Sequence, residues 1–483
     1  MAIIKPIIEE VKNAPDAFTL FSNLKRYPYA FFLDSARDHH TVGRYSFVGC
    51  DPFLVLKSTG DSVVLEWAHG SAERFSSDPF LVLKDLLKRF QVAPSKDGLP
   101  FPSGVVGYFS YDLKGFLEDL PERSEDDTRI PGCILGFYDT AVVYDNREKK
   151  CFAVSTGLPS GDRGCARSRL DELKKRIDAE AAQDNQRVVS KKAKPRSNFS
   201  KASYMRAVRK AKEYIRKGDI YQVNISQRFD TPIHMPALEL YKRLRKFSPA
   251  PFAAYLDFKD VAILSSSPER FLLKRGSYIE TRPIKGTRPR GKTAAEDRAM
   301  RRELVNSHKD RAEHIMIVDL ERNDLGRICS FGSVAWAEPF VVEKYANVFH
   351  LVSTVSGQLK DGVGPVDCLS AAFPGGSITG APKIRSMEII DELEGLKRSA
   401  YTGALGYIGF DGNMDTSIVI RTFILKGSQL YFQVGGGIVA DSDPEKEYEE
   451  TIHKAHGLLQ ALGCVPPASI KTRNRKRKTG SAK

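Results

Sequence analysis

Apolar and polar residues alternate in short runs along much of the chain, and repeat at helical spacing only between those runs. Tyr29–Leu33, Tyr45–Val48, Phe53–Lys57, Ser62–Trp67, Gly104–Tyr111 and Ala141–Tyr144 read as strands punctuated by Gly and Asp. Residues 81–91 and 164–183 have helical spacing. After a basic stretch, Ser200–Lys217 is an amphipathic helix and Tyr221–Phe229 alternates as a strand. Strand-like runs follow at Phe252–Phe258, Ala262–Ser265, Arg270–Leu273 and Ser277–Thr281. Helices are then predicted over about 294–306 and 308–325. Strands return at 403–412, 416–425 and 430–440, with Asp411-Gly412-Asn413 as the turn between the first two. A last helix begins near Pro444, with Asp443 as its N-cap. Hairpins separated by helices, without regular β-α-β alternation, predict an α+β fold with large antiparallel sheets.

Composition adds little to this until the charge is located. The net charge of +14 invites a nucleic-acid reading. However, residues 187–201 carry six basic residues and no acid, and residues 471–483 carry seven and no acid. Those two runs hold thirteen of the fourteen charges, so the body has an ordinary mixed surface, and nucleic acid is not expected as the main partner. The expected organisation is an N-terminal region (1–182), a basic linker (183–199), a catalytic domain (200–465) and a disordered basic tail (466–483). No run approaches a bilayer-spanning length and no signal peptide is read at the start. Seven scattered cysteines without a C-x-x-C pair fit a reducing cytoplasm.

Several segments carry candidate chemistry. FPGGSITGAPKIRSMEIIDELEG (373–395) places Gly375, Gly376 and Gly380 before a helical pattern from Pro382. Such a loop can offer bare N–H groups to an anion, with Thr379 and Lys383 adding a hydroxyl and a charge; it is equally a tight turn capping a helix. GGGIVADSDPEKEYEETIHKA (435–455) sets Glu447, Glu450 and Lys454 on one helical face. Two clustered carboxylates suit Mg²⁺, or form a solvated face with a salt bridge. In NSHKDRAEHIMIVDLERNDLGR (306–327), Glu313 shares a face with Asp310 and Ile317. Asp319, Arg322, Asn323 and Asp324 are expected to form a buried structural network. Glu269 in SSSPERF, Lys285 in RPIKGTRPRG and His350 in NVFHLVST are weak signals singly.

In order, SPERF, PIKGTRPRG, KDRAEHIMIVDLERNDLGR, FHLVSTVSG, AFPGGSITGAPKIRSMEIIDELEG, YTGALGYIGFDGNMDTSIVIRT and GGGIVADSDPEKEYEET span residues 265–455. The set strongly resembles the chorismate-utilising enzymes, a family that includes anthranilate, aminodeoxychorismate, isochorismate and salicylate synthases. The N-terminal third matches more loosely, through SARDHHTVGRYSFVGCDPF. The resemblance implies a sandwich of two antiparallel sheets flanked by helices. It implies that Glu313, Glu447 and Glu450 hold Mg²⁺, which neutralises the ring carboxylate of chorismate. It implies that Glu269 protonates the departing C4 hydroxyl and that His350 stands near that leaving group. Tyr401, Arg421, Thr379 with Gly380, and the N–H groups of Gly435, Gly436 and Gly437 match the groups that clasp the two carboxylates, and Lys454 matches a lysine beside the metal.

Two positions discriminate within the family. Isochorismate and salicylate synthases carry a lysine base where this chain has Gln222, so water addition is disfavoured. Anthranilate synthases read PIAGT where this chain reads PIKGT, and a lysine there marks the aminodeoxychorismate synthases. The resemblance then implies covalent attack by Lys285, whose amine must be neutral, helped by desolvation or a neighbour such as Arg288. No glutaminase segment is found, so ammonia is expected from a glutamine amidotransferase subunit, with a separate aminodeoxychorismate lyase completing p-aminobenzoate for folate. Anthranilate synthases hold a tryptophan pocket at an L-L-E-S string; the comparable FFLDSA (31–36) departs from it at Asp34 and Ser35.

Overall fold

The computed structural model describes residues 3–36, 42–95, 98–101, 103–179, 194–345 and 348–464. The tail 466–483 and most of the linker 183–199 lie outside them. Two large sheets, antiparallel throughout, form the body. The first runs Ile7–Glu10, Lys150–Ser155, Thr140–Asp145, Tyr45–Gly49, Phe31–Asp34, Phe252–Asp257, Val261–Ser267, Thr422–Lys426, Gln429–Ile438, Gln222–Pro232 and Arg196–Ser197. Gly380–Ala381 adds a short strand against Gln222–Val223. The second runs Ile284–Pro289, Val348–Gln358, Tyr278–Arg282, Arg270–Arg275, Met414–Ile418, Ala404–Gly409, Gly104–Phe109, Cys133–Tyr138, Leu54–Thr59, Ser62–Trp67 and Ala72–Ser76. Each sheet therefore draws strands from both sides of the basic stretch.

The period-2 pattern decides which residues meet between the sheets. Val106, Ile134, Val143, Ala254 and Leu256 join one inter-sheet core with Phe31, Phe47, Phe101 and Tyr407. Their neighbours point the other way. Val105 and Leu135 pack under the helices of the second sheet, and Val142 and Tyr255 under those of the first. The expected flanked sandwich is what forms, in four layers.

Local signals set the helix ends. Ser200 caps Lys201–Lys217 through a reciprocal box with Ser203, and Gly218 ends that helix at φ 82°. Asp443 caps Pro444–Ala461, accepting from the N–H groups of Glu445 and Lys446. One expected strand is corrected. Residues 416–425 are not continuous: Met414–Ile418 belongs to the second sheet and Thr422–Lys426 to the first. The chain crosses between sheets at 419–421, with Arg421 at φ 53°. Between the sheets, a pocket of about 60 Å³ opens beside Leu33, Ser35, Phe47, Ala253 and Tyr407. The Asp34 carboxylate at its edge is already engaged by Arg245 (2.6 Å) and Tyr241 (3.1 Å).

Candidate active site

Most of the expected site residues converge around the glycine run that ends strand Gln429–Ile438. A Cβ on Gly436 would stand 3.3 Å from Glu447 Oε2, 3.6 Å from Glu450 Oε1 and 3.7 Å from Lys454 Nζ. A Cβ on Gly437 would stand 2.6 Å from Gln222 Nε2 and 3.5 Å from Lys285 Nζ. Gly435 lies against Asn224 and Ser226, and its carbonyl accepts from Lys454 Nζ (2.9 Å). The absence of side chains here lets strand backbone approach two acids, two lysines and an amide at once. Gln222 is fully buried, yet neither its Oε1 nor its Nε2 has a partner. A buried amide with both ends open is a costly arrangement unless a ligand completes it.

Glu269 follows strand Val261–Ser267 and is buried. Its Oε1 accepts from the Ser377 hydroxyl (2.6 Å), and burial raises its pKa. Lys285 stands on strand Ile284–Pro289, and its Nζ donates to the Ser377 carbonyl (3.3 Å). Burial lowers the Lys285 pKa; Glu313 opposes this, and Lys454 adds to it. Arg288, the expected neighbouring cation, instead pairs with Glu303 (2.7 Å) and Asp310 (2.9 Å). His350 is buried in strand Val348–Gln358 with Nδ1 2.9 Å from Thr287 Oγ1. Burial, with Arg421 and Lys454 nearby, drives its pKa down to about 3, so it is a neutral ring at neutral pH.

The remaining candidates arrive from several elements. Arg421 sits at the crossover, where its Nη1 donates to the Lys454 carbonyl. Tyr401 is buried, with the Arg398 guanidinium 5.7 Å from its ring centroid. Thr379 is fully buried, and its hydroxyl donates within its own loop to Gly375 (3.0 Å). Gly380, at φ 147°, lies against the Gln222 carbonyl, where a Cβ would be 2.1 Å away. Glu447 accepts from Ser442 (2.6 Å) and its pKa is raised by burial; Glu450 pairs with Lys454 (2.8 Å), which lowers its pKa. Glu313 faces in from helix His308–Gly326, its pKa raised by burial.

The chain matches the family described as chorismate binding enzyme over residues 14–460. It is a chorismate-binding enzyme. It is 41% identical over 443 residues to aminodeoxychorismate synthase component 1 of Escherichia coli K12, covering 92% of this chain and 95% of the relative. It is 39% identical over 470 residues to anthranilate synthase component 1 of Acetivibrio thermocellus, covering 95% of each. The solved anthranilate synthase component I from Streptococcus pneumoniae TIGR4 superposes with a TM-score of 0.77 at 31% identity, covering 87% of this chain and 94% of that one. No helix among the described residues is long and apolar enough to cross a membrane.

Two of these acids lie close together beside Gly436. Glu447 Oε2 and Glu450 Oε1 both face Gly436, and hard carboxylate oxygens suit Mg²⁺, which also takes water and substrate oxygens. Among the described residues, no three His, Cys, Asp or Glu side chains stand close enough to enclose an ion by themselves. The protein thus offers a partial donor set of the kind Mg²⁺ completes with other oxygens.

Two expectations about neighbouring residues are corrected. Lys383 is not a free charge at the glycine loop: it donates to Asp324 (2.6 Å) and to the Ala372 carbonyl (2.9 Å). Asp319, Arg322, Asn323 and Asp324 form no common network. Asp319 and Arg322 make an exposed pair, while Asp324 turns inward to Lys383. Arg322 and Asp324 are two positions apart, and residues two apart do not share a helix face.

Sequence reading missed three residues. Ser377 touches both Glu269 and Lys285. Glu321 is buried, accepts from Gly376 N–H (3.0 Å) and leaves Oε2 without a partner; burial and Asp324 raise its pKa to about 8. Asn224 keeps an unpartnered Oδ1 against Gly435. The only available signal was the acid-rich DLERND string and the serine inside the glycine loop.

Proposed function

We propose that this enzyme is an aminodeoxychorismate synthase component I, which converts chorismate and ammonia to 4-amino-4-deoxychorismate. The observation that carries the reading is Lys285, in PIKGT, with Nζ beside Gly437 and Gln222 and a pKa lowered by burial. A buried lysine held toward its neutral form is a nucleophile in waiting. Glu269, whose pKa burial raises, supplies the complementary acid.

In the proposed sequence the Lys285 amine adds to ring C2. Both ring double bonds shift, and the C4 hydroxyl leaves as water with the proton of Glu269. Ammonia adds at C4, the two double bonds return, Lys285 is expelled as its neutral amine, and the new C4 ammonium returns a proton to Glu269. Gln222 cannot act as a base toward water, so ammonia meets no competing hydration there. Arg421, with Tyr401 and the backbone of Gly435–Gly437, Thr379 and Gly380, binds the substrate carboxylates, and Arg421 suits a planar grip. Glu447, Glu450 and Glu313 would hold Mg²⁺, whose charge, when bound, offsets a substrate carboxylate. Lys454 and His350 flank the reacting ring, and the neutral imidazole orients the leaving group without taking its proton.

Ammonia would come from a glutamine amidotransferase subunit, and a lyase would convert the product to p-aminobenzoate in the cytoplasm. Anthranilate synthase component I is the second reading, favoured by relatives of equal identity. The test supplies chorismate, Mg²⁺ and ammonium salt, with and without the lyase. Fluorescent anthranilate formed by the chain alone overturns the first reading; p-aminobenzoate formed only with the lyase supports it.

A further inference from the structure

Residues 375–379 form a tight loop whose members are tied to the framework one by one. Gly376 N–H donates to Glu321 Oε1 (3.0 Å). The Ile378 carbonyl accepts from Arg398 Nη1 (3.0 Å), and the Thr379 carbonyl from Asn224 N–H (2.7 Å). The Thr379 hydroxyl closes back on the Gly375 carbonyl (3.0 Å). Gly376 lets the loop settle on the helix below, because a Cβ there would meet Leu320 Cδ2 at 2.6 Å and Glu321 Oε1 at 3.1 Å.

The exception is Ser377. Its two polar groups point to the reacting groups: Oγ to Glu269 Oε1 (2.6 Å), and the carbonyl to Lys285 Nζ (3.3 Å). We propose that Ser377 is a positioning residue that couples acid and nucleophile, its hydroxyl holding Glu269 and its carbonyl holding Lys285, while Glu321 pins the loop through Gly376. The inference rests on the roles given above to Glu269 and Lys285. The serine hydroxyl donates to one carboxyl oxygen, and with the Ile284 N–H it sets the direction in which the carboxyl gives its proton to the departing hydroxyl. As that proton leaves, the same hydrogen bond faces a growing negative charge and strengthens. The carbonyl takes one N–H of the lysine, which fixes where the nitrogen lone pair points. Lys285, Lys454 and the Glu321 carboxyl are the other charged or titratable groups that Glu269 senses.

Replacing the hydroxyl separates the two halves, because Ser377→Ala keeps the carbonyl to Lys285. The experiment measures kcat and kcat/KM for chorismate against pH, with Mg²⁺ and with free ammonia held constant at each pH. For Ser377→Ala, kcat should fall about tenfold or more, the scale of a hydrogen bond to a charged group, while the chorismate KM moves far less. Without the donor, ionised Glu269 is less favoured, so the limb of the profile set by Glu269 should shift to higher pH and the other limb should stay. Ser377→Thr, which keeps the hydroxyl, should restore both rate and limb; Ser377→Gly should repeat the alanine result. A slower Ser377→Ala and Ser377→Gly with the wild-type pH profile would overturn the proposal, as would a full rate in either. The limb is read on whichever aminated product forms. An anthranilate product would therefore refute the proposed function while leaving this inference to be judged on its own.

Discussion

Glu269→Gln should make the enzyme nearly inactive and, at alkaline pH, no less stable. The substitution keeps the shape of a buried side chain and can still accept from Ser377, 2.6 Å away. What it loses is the proton, and a positioned general acid contributes about 10²–10⁴ in rate. The stability sign follows from linkage. Burial raises the folded-state pKa of Glu269 above its ordinary value. Between the two values the folded protein holds a proton that the unfolded chain has released, so stability falls as pH rises through that window. Above it the buried carboxylate remains a fixed cost, which a neutral amide removes. The assay pairs steady-state rates with thermal unfolding at pH 6 and pH 9. The expected result is a rate loss of about a hundredfold or more, an unchanged or higher Tm at pH 9, and a smaller gain at pH 6. More than a tenth of the wild-type rate, or a Tm lowered at both pH values, would refute the assignment of Glu269 as a buried acid kept for chemistry.

Other expectations follow from the same geometry. Glu450→Gln should abolish turnover without unfolding the chain, as should excess chelator; full activity in either would remove the Mg²⁺ assignment. The purified chain should use ammonium salt and not glutamine, with activity rising toward alkaline pH as free ammonia grows; turnover of glutamine without a partner would refute this. Arg398 and Glu394 are 1% and 2% exposed, and Arg398 also donates to the Ile378 and Asn224 carbonyls. Arg398→Ala leaves the Glu394 charge buried and should cost about 3–5 kcal/mol in denaturant unfolding; a loss under about 1 kcal/mol would contradict it. Wild type mixed with chorismate and no ammonia should carry chorismate less water on the peptide containing Lys285, read by mass spectrometry; that mass on another lysine would contradict the mechanism.

Much of the fold was legible because alternation survives wherever one strand face meets the inter-sheet core and the other meets helices. Val105 and Val106, or Val142 and Val143, enter different cores for that reason. The run 416–425 misled because β-branched residues continue through the crossover without a Gly or Pro to mark it, and Arg421 takes the positive φ that turns the chain. Helix spacing put Glu447, Glu450 and Lys454 on one face, and they do meet beside Gly436, but spacing alone fitted a solvated face equally and only the family resemblance gave them roles. Ser377 and Glu321 were not found, because their significance lies in contacts across more than 50 positions of sequence. The expected role of Arg288 failed for a related reason. Closeness in sequence put it beside Lys285, but strand alternation turned it to Glu303 and Asp310.

The central claim is that Lys285 is a covalent nucleophile and not a carboxylate partner. Lys285→Arg tests it most directly, because arginine keeps the charge but stays protonated and is a poor nucleophile. With chorismate, Mg²⁺ and ammonium salt, lyase-coupled p-aminobenzoate should fall to a trace while chorismate still binds. Near-normal output from Lys285→Arg would contradict the account.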